Sequence, residues 1–261
     1  MASLPFAPIT LVGLLRDVRM VQRDDRPLAV GGARELAAVL RRELGREGRQ
    51  TSLTDRVEGA AALVYVLARE PNEEDEAALR EADRARVPVV CVVTGRLGED
   101  LRVPYVLATD LVRVPPGSGF PLDAIARALA ARLDERAAPL AGRLPFLRAA
   151  VCDHLIESFA RRNGVLAAAT FVPGADLPVL TLNQARLVLL LAAAHGQEVE
   201  RERLPELLAV LGGGLGFRAA ARELLDLVPV AGWAVKGAVA YAGTKALGKA
   251  ARRWFAARVA A

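Results

Sequence analysis

Apolar positions follow one another along this chain in two rhythms. Up to about residue 136, short and nearly continuous apolar runs alternate with stretches of helical spacing; beyond about 140 only the helical spacing is left. The runs Leu28–Val30, 61–68 ("AALVYVLA"), 87–95 ("VPVVCVVTG") and 103–114 ("VPYVLATDLVRV") predict buried strands, with a shorter one at 50–53. Between them, 33–44 predicts a helix with Leu36, Val39, Leu40 and Leu44 on one face. A second helix is predicted at 72–86, acidic at its start and basic at its end as the macrodipole favours, and a third at 121–135. Continuous apolar strands alternating with helices imply a small, doubly wound, mostly parallel sheet covered on both faces. This α/β domain is expected over 24–136, behind an N-terminal helix at 9–22 within residues 1–23.

The second half reads as all-α, with a boundary at 137–145 and a helical domain over 144–261. The helix at 144–164 carries Leu147, Val151, Leu155 and Phe159 on one stripe, with Asn163-Gly164 as a stop. Pro173, Gly174 and Pro178 break the next stretch in two. Residues 180–195 are apolar nearly all round, which calls for burial in protein or lipid. Further helices are expected at 197–214, 217–227 and 232–258.

Composition narrows the chemistry. The chain has 261 residues, 53% of them hydrophobic but only 5% aromatic, so the core must be built from Ala, Leu and Val. Two cysteines, Cys91 and Cys152, rule out a disulfide scaffold and favour a reducing compartment. His154 and His195 lack metal-ligand spacing, so no metal and no cofactor are expected. No secretory signal pattern is visible at the start. Residues 143–261 hold 15 Lys/Arg against 9 Asp/Glu, net +6, and residues 1–142 hold 20 against 21, net −1.

"RPLAVGGARELAAVLRREL", 26–44, has the outline of a nucleotide-binding corner: an apolar run, two glycines, then a helix. A phosphate loop needs G-x-x-x-x-G-K-[ST], whose lysine and hydroxyl reach phosphate and magnesium. Here Gly31-Gly32-Ala33-Arg34-Glu35-Leu36 has neither, and Glu35 opposes a phosphate. The dinucleotide pattern G-x-G-x-x-G fails as well. A parallel sheet still has a crevice at its strand ends, which Gly31, Gly32, Thr94, Gly95 and Thr109 would line for a small anion. No nucleophile–base constellation is present, and the acids at 73–76 read as a charged helix start, so no enzyme activity is expected.

The stretch "AALVYVLAREPNEEDEAALREADRARVPVVCVVTG" resembles a Ras-like GTPase domain from its fourth strand to its guanine-reading loop, and "VLATDLVRVPPGSGFPLDAIARALAARL" resembles its closing strand and helix. The resemblance implies a degenerate GTPase-like module, since Thr94-Gly95-Arg96-Leu97 stands where the guanine-reading motif would be. The second half, "FVPGADLPVLTLNQARLVLLLAAAHG" followed by "LVPVAGWAVKGAVAYAGTKALGKAARRWF", is similar to the bacterial family called domain of unknown function 697. The matching positions are Pro173, Asp176, Gln184, Pro229, Gly232, Thr244 and Gly248. That resemblance implies a helical domain, often membrane-associated, behind a GTPase-like one.

Three functions compete at this point. The leading expectation is a non-enzymatic interaction or membrane-associated protein in the cytoplasm or at the inner face of the membrane. Its lipid contacts would be Lys245, Lys249, Arg252 and Arg253, with Trp254 and Phe255 towards the other face. The alternatives are a nucleotide- or anion-binding protein using Gly31-Gly32, and a helical scaffold that dimerises. Partners would be a protein, an anionic surface or a second copy. Nucleic acid is disfavoured, because the basic segment has no aromatic interleaving and no reader motif.

Overall fold

The computed structural model describes residues 20, 21, 23–95, 101–169, 177–197 and 232–259. They fall into two compact units, Asp24–Val151 and a second that gathers Met1–Arg23 with Cys152–Ala261. The helix expected at 9–22 and those at 197–214 and 217–227 lie outside the described residues, apart from residues 20, 21 and 197.

The first unit is the expected doubly wound α/β layer. Its elements are β1 (Leu28–Gly32), α1 (Arg34–Leu44), β2 (Leu53–Thr54), β3 (Ala62–Leu67), α2 (Glu73–Arg84), β4 (Val89–Val93), β5 (Leu111–Arg113), α3 (Leu122–Leu133) and α4 (Ala137–Arg143). The strands are all parallel, in the order β2-β1-β3-β4-β5. Every residue of β3 and β4 is buried, which is why their sequences are apolar without alternation. One side of the sheet closes on Leu79 and Ala82 of α2 through Leu63, Tyr65, Leu67, Cys91 and Val93. Arg143 staples the start of the unit: its guanidinium donates to the carbonyls of Asp24 (3.1 Å), Asp25 (2.7 Å) and Arg26 (2.9 Å).

Several expectations need correction. The strand expected at Leu28–Val30 does not break at the glycines: Gly31 and Gly32 belong to β1 as its last two residues, paired with Tyr65 and Val66. The strand expected over 103–114 shrinks to Leu111–Arg113, because Pro104 has no N–H to give a ladder and Tyr105 turns to a φ of +63°. Val39 is 41% exposed, and Ala37 joins Leu40 and Leu44 on the buried face of α1. Residues 137–143, read as a boundary, form α4, with Ala137 to Ala141 buried.

In the second unit the described elements are α5 (Arg148–Ala169, which begins in the first unit), α6 (Leu177–Ala194) and α7 (Gly232–Val259). α5 runs straight through the expected stop at Asn163-Gly164. Asn163 is fully buried and hydrogen-bonded, and Gly164 lies against Gly237 of α7, so tertiary contact overrides the local signal. Pro178 falls in the first turn of α6, where its missing N–H costs little. From Leu187 to Ala194 every residue of α6 is buried, as its all-round apolar sequence requires.

Candidate functional site

In a doubly wound sheet the ligand crevice opens where the strand order reverses, at the carboxyl ends of the strands. Here β1 connects outward to β2, and the chain then returns to β3 on the other side of β1, so the reversal lies between β1 and β3. Gly32 stands at that point with φ +99°. A Cβ on it would lie 2.1 Å from the carbonyl oxygen of Val66. The next amide, Ala33 N–H, donates to the same oxygen at 2.8 Å. α1 then starts at Arg34. The two glycines therefore press the corner flat against β3. A cradle needs several consecutive N–H groups turned into an open loop; one connecting residue, already bonded to a neighbouring strand, offers none.

Thr94 and Gly95 end β4 at the same edge. The Thr94 amide and hydroxyl both donate to Leu67 O, at 2.8 and 3.2 Å. Gly95 turns at φ +87°. Thr109 does not join them. It precedes β5, so it sits at the amino edge of this parallel sheet, beside the buried Asp110. Burial pushes the Asp110 carboxyl up, and Arg132 Nε, 3.0 Å away, pulls it partly back.

The polar centre of the carboxyl edge was not singled out from the sequence. Asp75, in the first turn of α2, accepts from Tyr65 Oη (2.9 Å), Arg69 Nη1 (2.6 Å) and Asn72 N (3.0 Å). Its own amide donates to Asn72 Oδ1 at 3.0 Å, completing a capping box. Burial works against the Asp75 charge, but these donors outweigh it and hold the carboxyl below its usual range. Tyr65 is held protonated by its burial and by this bond, and burial pushes the Cys91 thiol up to about 12. The signal was legible as Asn72-x-x-Asp75 ahead of an apolar stripe. β1, β3 and β5 each hand over to a helix at this edge, so Glu35, Glu73, Glu74, Asp75, Glu76 and Asp123 stand there in first turns.

In the second unit, two of the family-motif positions meet. Gln184 Nε2 donates to Thr244 Oγ1 at 3.3 Å, and Asn163 Nδ2 donates to the same oxygen at 2.9 Å. Gly248 is the seat of Ile156: a Cβ there would lie 2.7 Å from Ile156 Cγ1. Gly232 opens α7, while Pro173, Asp176 and Pro229 lie outside the described residues.

Of the candidate lipid contacts, Phe255 turns inward, and Lys245, Arg252 and Trp254 are engaged within the chain. Phe255 is fully buried, and Trp254 stands edge-on to it at 4.9 Å with the Arg258 guanidinium 3.8 Å above its ring centre. Arg252 pairs with Asp153 at 2.5 Å. Lys245 bonds Glu157 Oε2 at 2.9 Å and the Tyr241 hydroxyl at 2.7 Å; Lys249 and Arg253 are exposed. Lys245 first, then Arg161 and Tyr241, hold the Glu157 carboxyl down at about 2. Among the described residues no helix is long and apolar enough to cross a membrane. The membrane-associated reading is therefore overturned: Phe255, expected at the lipid contact, is buried in the chain's own core. Among the described residues no three His, Cys, Asp or Glu side chains converge on a metal position. Comparison with protein-family models, with curated proteins and with solved structures finds no match.

Proposed function

We propose that this chain is a helical scaffold of the cytoplasm that pairs with a second copy of itself through the outward face of α7. The observation that carries the reading is that face. Ala234, Ala238, Ala242 and Ala246 are exposed at every fourth position, and the Cβ direction of Gly243 beside them is open. Small side chains in an i, i+4 row let two helix axes approach closely. A two-fold axis through the row makes the pair antiparallel, which sets Lys249 and Arg253 of each copy at opposite ends rather than against each other. The first unit supports the same reading from the other side, because the Ala33 amide and the Thr94 amide and hydroxyl at its carboxyl edge already bond carbonyls of β3. The resemblances to a degenerate Ras-like GTPase domain and to domain of unknown function 697 serve this proposal as an account of ancestry.

Light scattering across a concentration series tests it. A mass rising to that of a dimer is expected, and the monomer mass at every concentration would reject it.

One observation favours the anion-binding alternative: α1 begins beside the strand reversal and Ala33 provides no side-chain cap, which leaves first-turn N–H groups unpaired by a side chain. Titration with GTP, ATP and inorganic phosphate decides it. Micromolar binding lost on substitution of Thr94 would support that reading; no binding at millimolar ligand would end it.

A further inference from the structure

The second unit holds an uncharged polar knot inside an apolar core. Thr244 of α7 is fully buried and accepts from Asn163 of α5 and Gln184 of α6, while Asn163 Oδ1 accepts from Asn183 Nδ2 at 2.8 Å. Two glycine seats flank it. A Cβ on Gly237 would meet Gly164 O at 2.9 Å, and one on Gly248 would meet Ile156.

Solvent-side pairs tie α7 to α5 at Lys245–Glu157 and Arg252–Asp153, but within the buried row of α7 Thr244 alone carries a polar side chain. The residues stacked above and below Thr244 are Gly237, Ala240, Gly248 and Ala251, none with a polar side chain. Sliding α7 by one turn places Ala240 or Gly248 opposite Asn163. Turning it by one residue brings Gly243 or Lys245 there. Each alternative strands a fully buried amide, and an unpaired buried polar group shifts a packing equilibrium by roughly ten- to a hundredfold. The glycine seats add a steric bar to the one-turn slides, since the larger Tyr241 or Trp233 would have to occupy the place of Gly237.

We infer that the Asn163–Thr244–Gln184–Asn183 knot is a register lock that sets the rotation of α7, and with it which face of α7 is turned outward. A single buried polar group is known to fix register in helical assemblies at a cost in stability. The outward face so chosen is the row Ala234 to Ala246. The lock rests on the scaffold reading only for what that face then does.

Thiol labelling reads the rotation directly. Ala242→Cys reports the outward face and Leu247→Cys the inward one, since Ala242 is exposed and Leu247 is buried; Cys91 and Cys152, both buried, supply the background rate. Asn163→Leu/Thr244→Val removes both fully buried polar groups at once, leaving only the half-buried amides of Asn183 and Gln184 without these partners. In that background the labelling contrast between positions 242 and 247 is expected to fall by roughly tenfold, with far-ultraviolet dichroism unchanged. Thr244→Ser keeps the hydroxyl and should keep the contrast. Where the double variant loses its helical signal, Thr244→Val alone takes its place. Full contrast in whichever helical variant lacks the hydroxyl would overturn the lock. Labelling is done at the dilution where scattering gives the monomer mass. A chain that never dimerises would therefore sink the scaffold reading and leave the labelling result standing.

Discussion

Gly32 and Glu157 show how much a single position carries. Gly32 takes a φ of +99° and its missing Cβ leaves room for the carbonyl of Val66. Gly32→Ala combines a left-handed backbone with a backbone clash, so a loss of about 3 kcal/mol or more is expected in chemical denaturation. This glycine is a packing residue, although its sequence neighbourhood looks like a phosphate loop. Glu157 works through charge. Its folded carboxyl sits at about 2, below the usual 4.5 that it regains on unfolding. Its contribution to stability is therefore complete above about pH 4.5 and is lost as pH falls towards 2. Melting temperatures of the protein and of Glu157→Gln should differ at pH 5 and converge by pH 2; a constant gap would show that Glu157 acts without its charge.

At the scale of elements, the glycines of α7 do opposite jobs on opposite faces. Gly243 has nothing within reach of an added Cβ, whereas Gly248 receives Ile156 and Leu187. Alanine is better than glycine in a helix interior by about 1 kcal/mol, so Gly243→Ala should raise monomer stability by about that amount. Gly248→Val overpacks the seam and should cost about 2 kcal/mol. Thermal unfolding of the two variants should shift in opposite directions. The strands give a complementary case. β3 and β4 are legible as apolar runs because both of their faces are buried. β5 is over-read, because apolar residues such as Val103, Val106 and Leu111 pack on the core from a turn as well as from a strand. Asn163-Gly164 is read as a stop for the same kind of reason: the propensity is local, and the contacts that overrule it come from α6 and α7, 20 and 81 residues away.

For the molecule as a whole, the question is what its outer faces meet. Charge in the second half is concentrated near the C-terminus, but Lys245 and Arg252 are engaged by Glu157 and Asp153 of α5. That pairing turns an apparent basic anchor into part of a helix seam. The scaffold reading places its contact on the uncharged row instead. Ala242→Glu puts two carboxylates near the two-fold axis of the proposed pair and desolvates them there. Dimer dissociation should then strengthen by at least about tenfold while the monomer keeps its melting temperature. Equal scattering curves for Ala242→Glu and the unaltered protein would move the interface elsewhere.

The amino-acid sequence by itself determined the alternation of strand and helix, the all-α second half and the absence of phosphate-loop chemistry. These depend on periodicity and on residue type, both of which are local. Only the tertiary structure decided that Gly31 and Gly32 belong inside β1, that Thr109 stands at the opposite sheet edge from Thr94, and that Asp75 gathers Tyr65, Arg69 and Asn72. It alone brought Asn163, Asn183, Gln184 and Thr244 together, and it alone turned Phe255 inward. The physical reason is the same in each case. A polar or small residue has no fixed preference for core or surface, and its place is settled by whichever partner the packing of distant segments delivers to it.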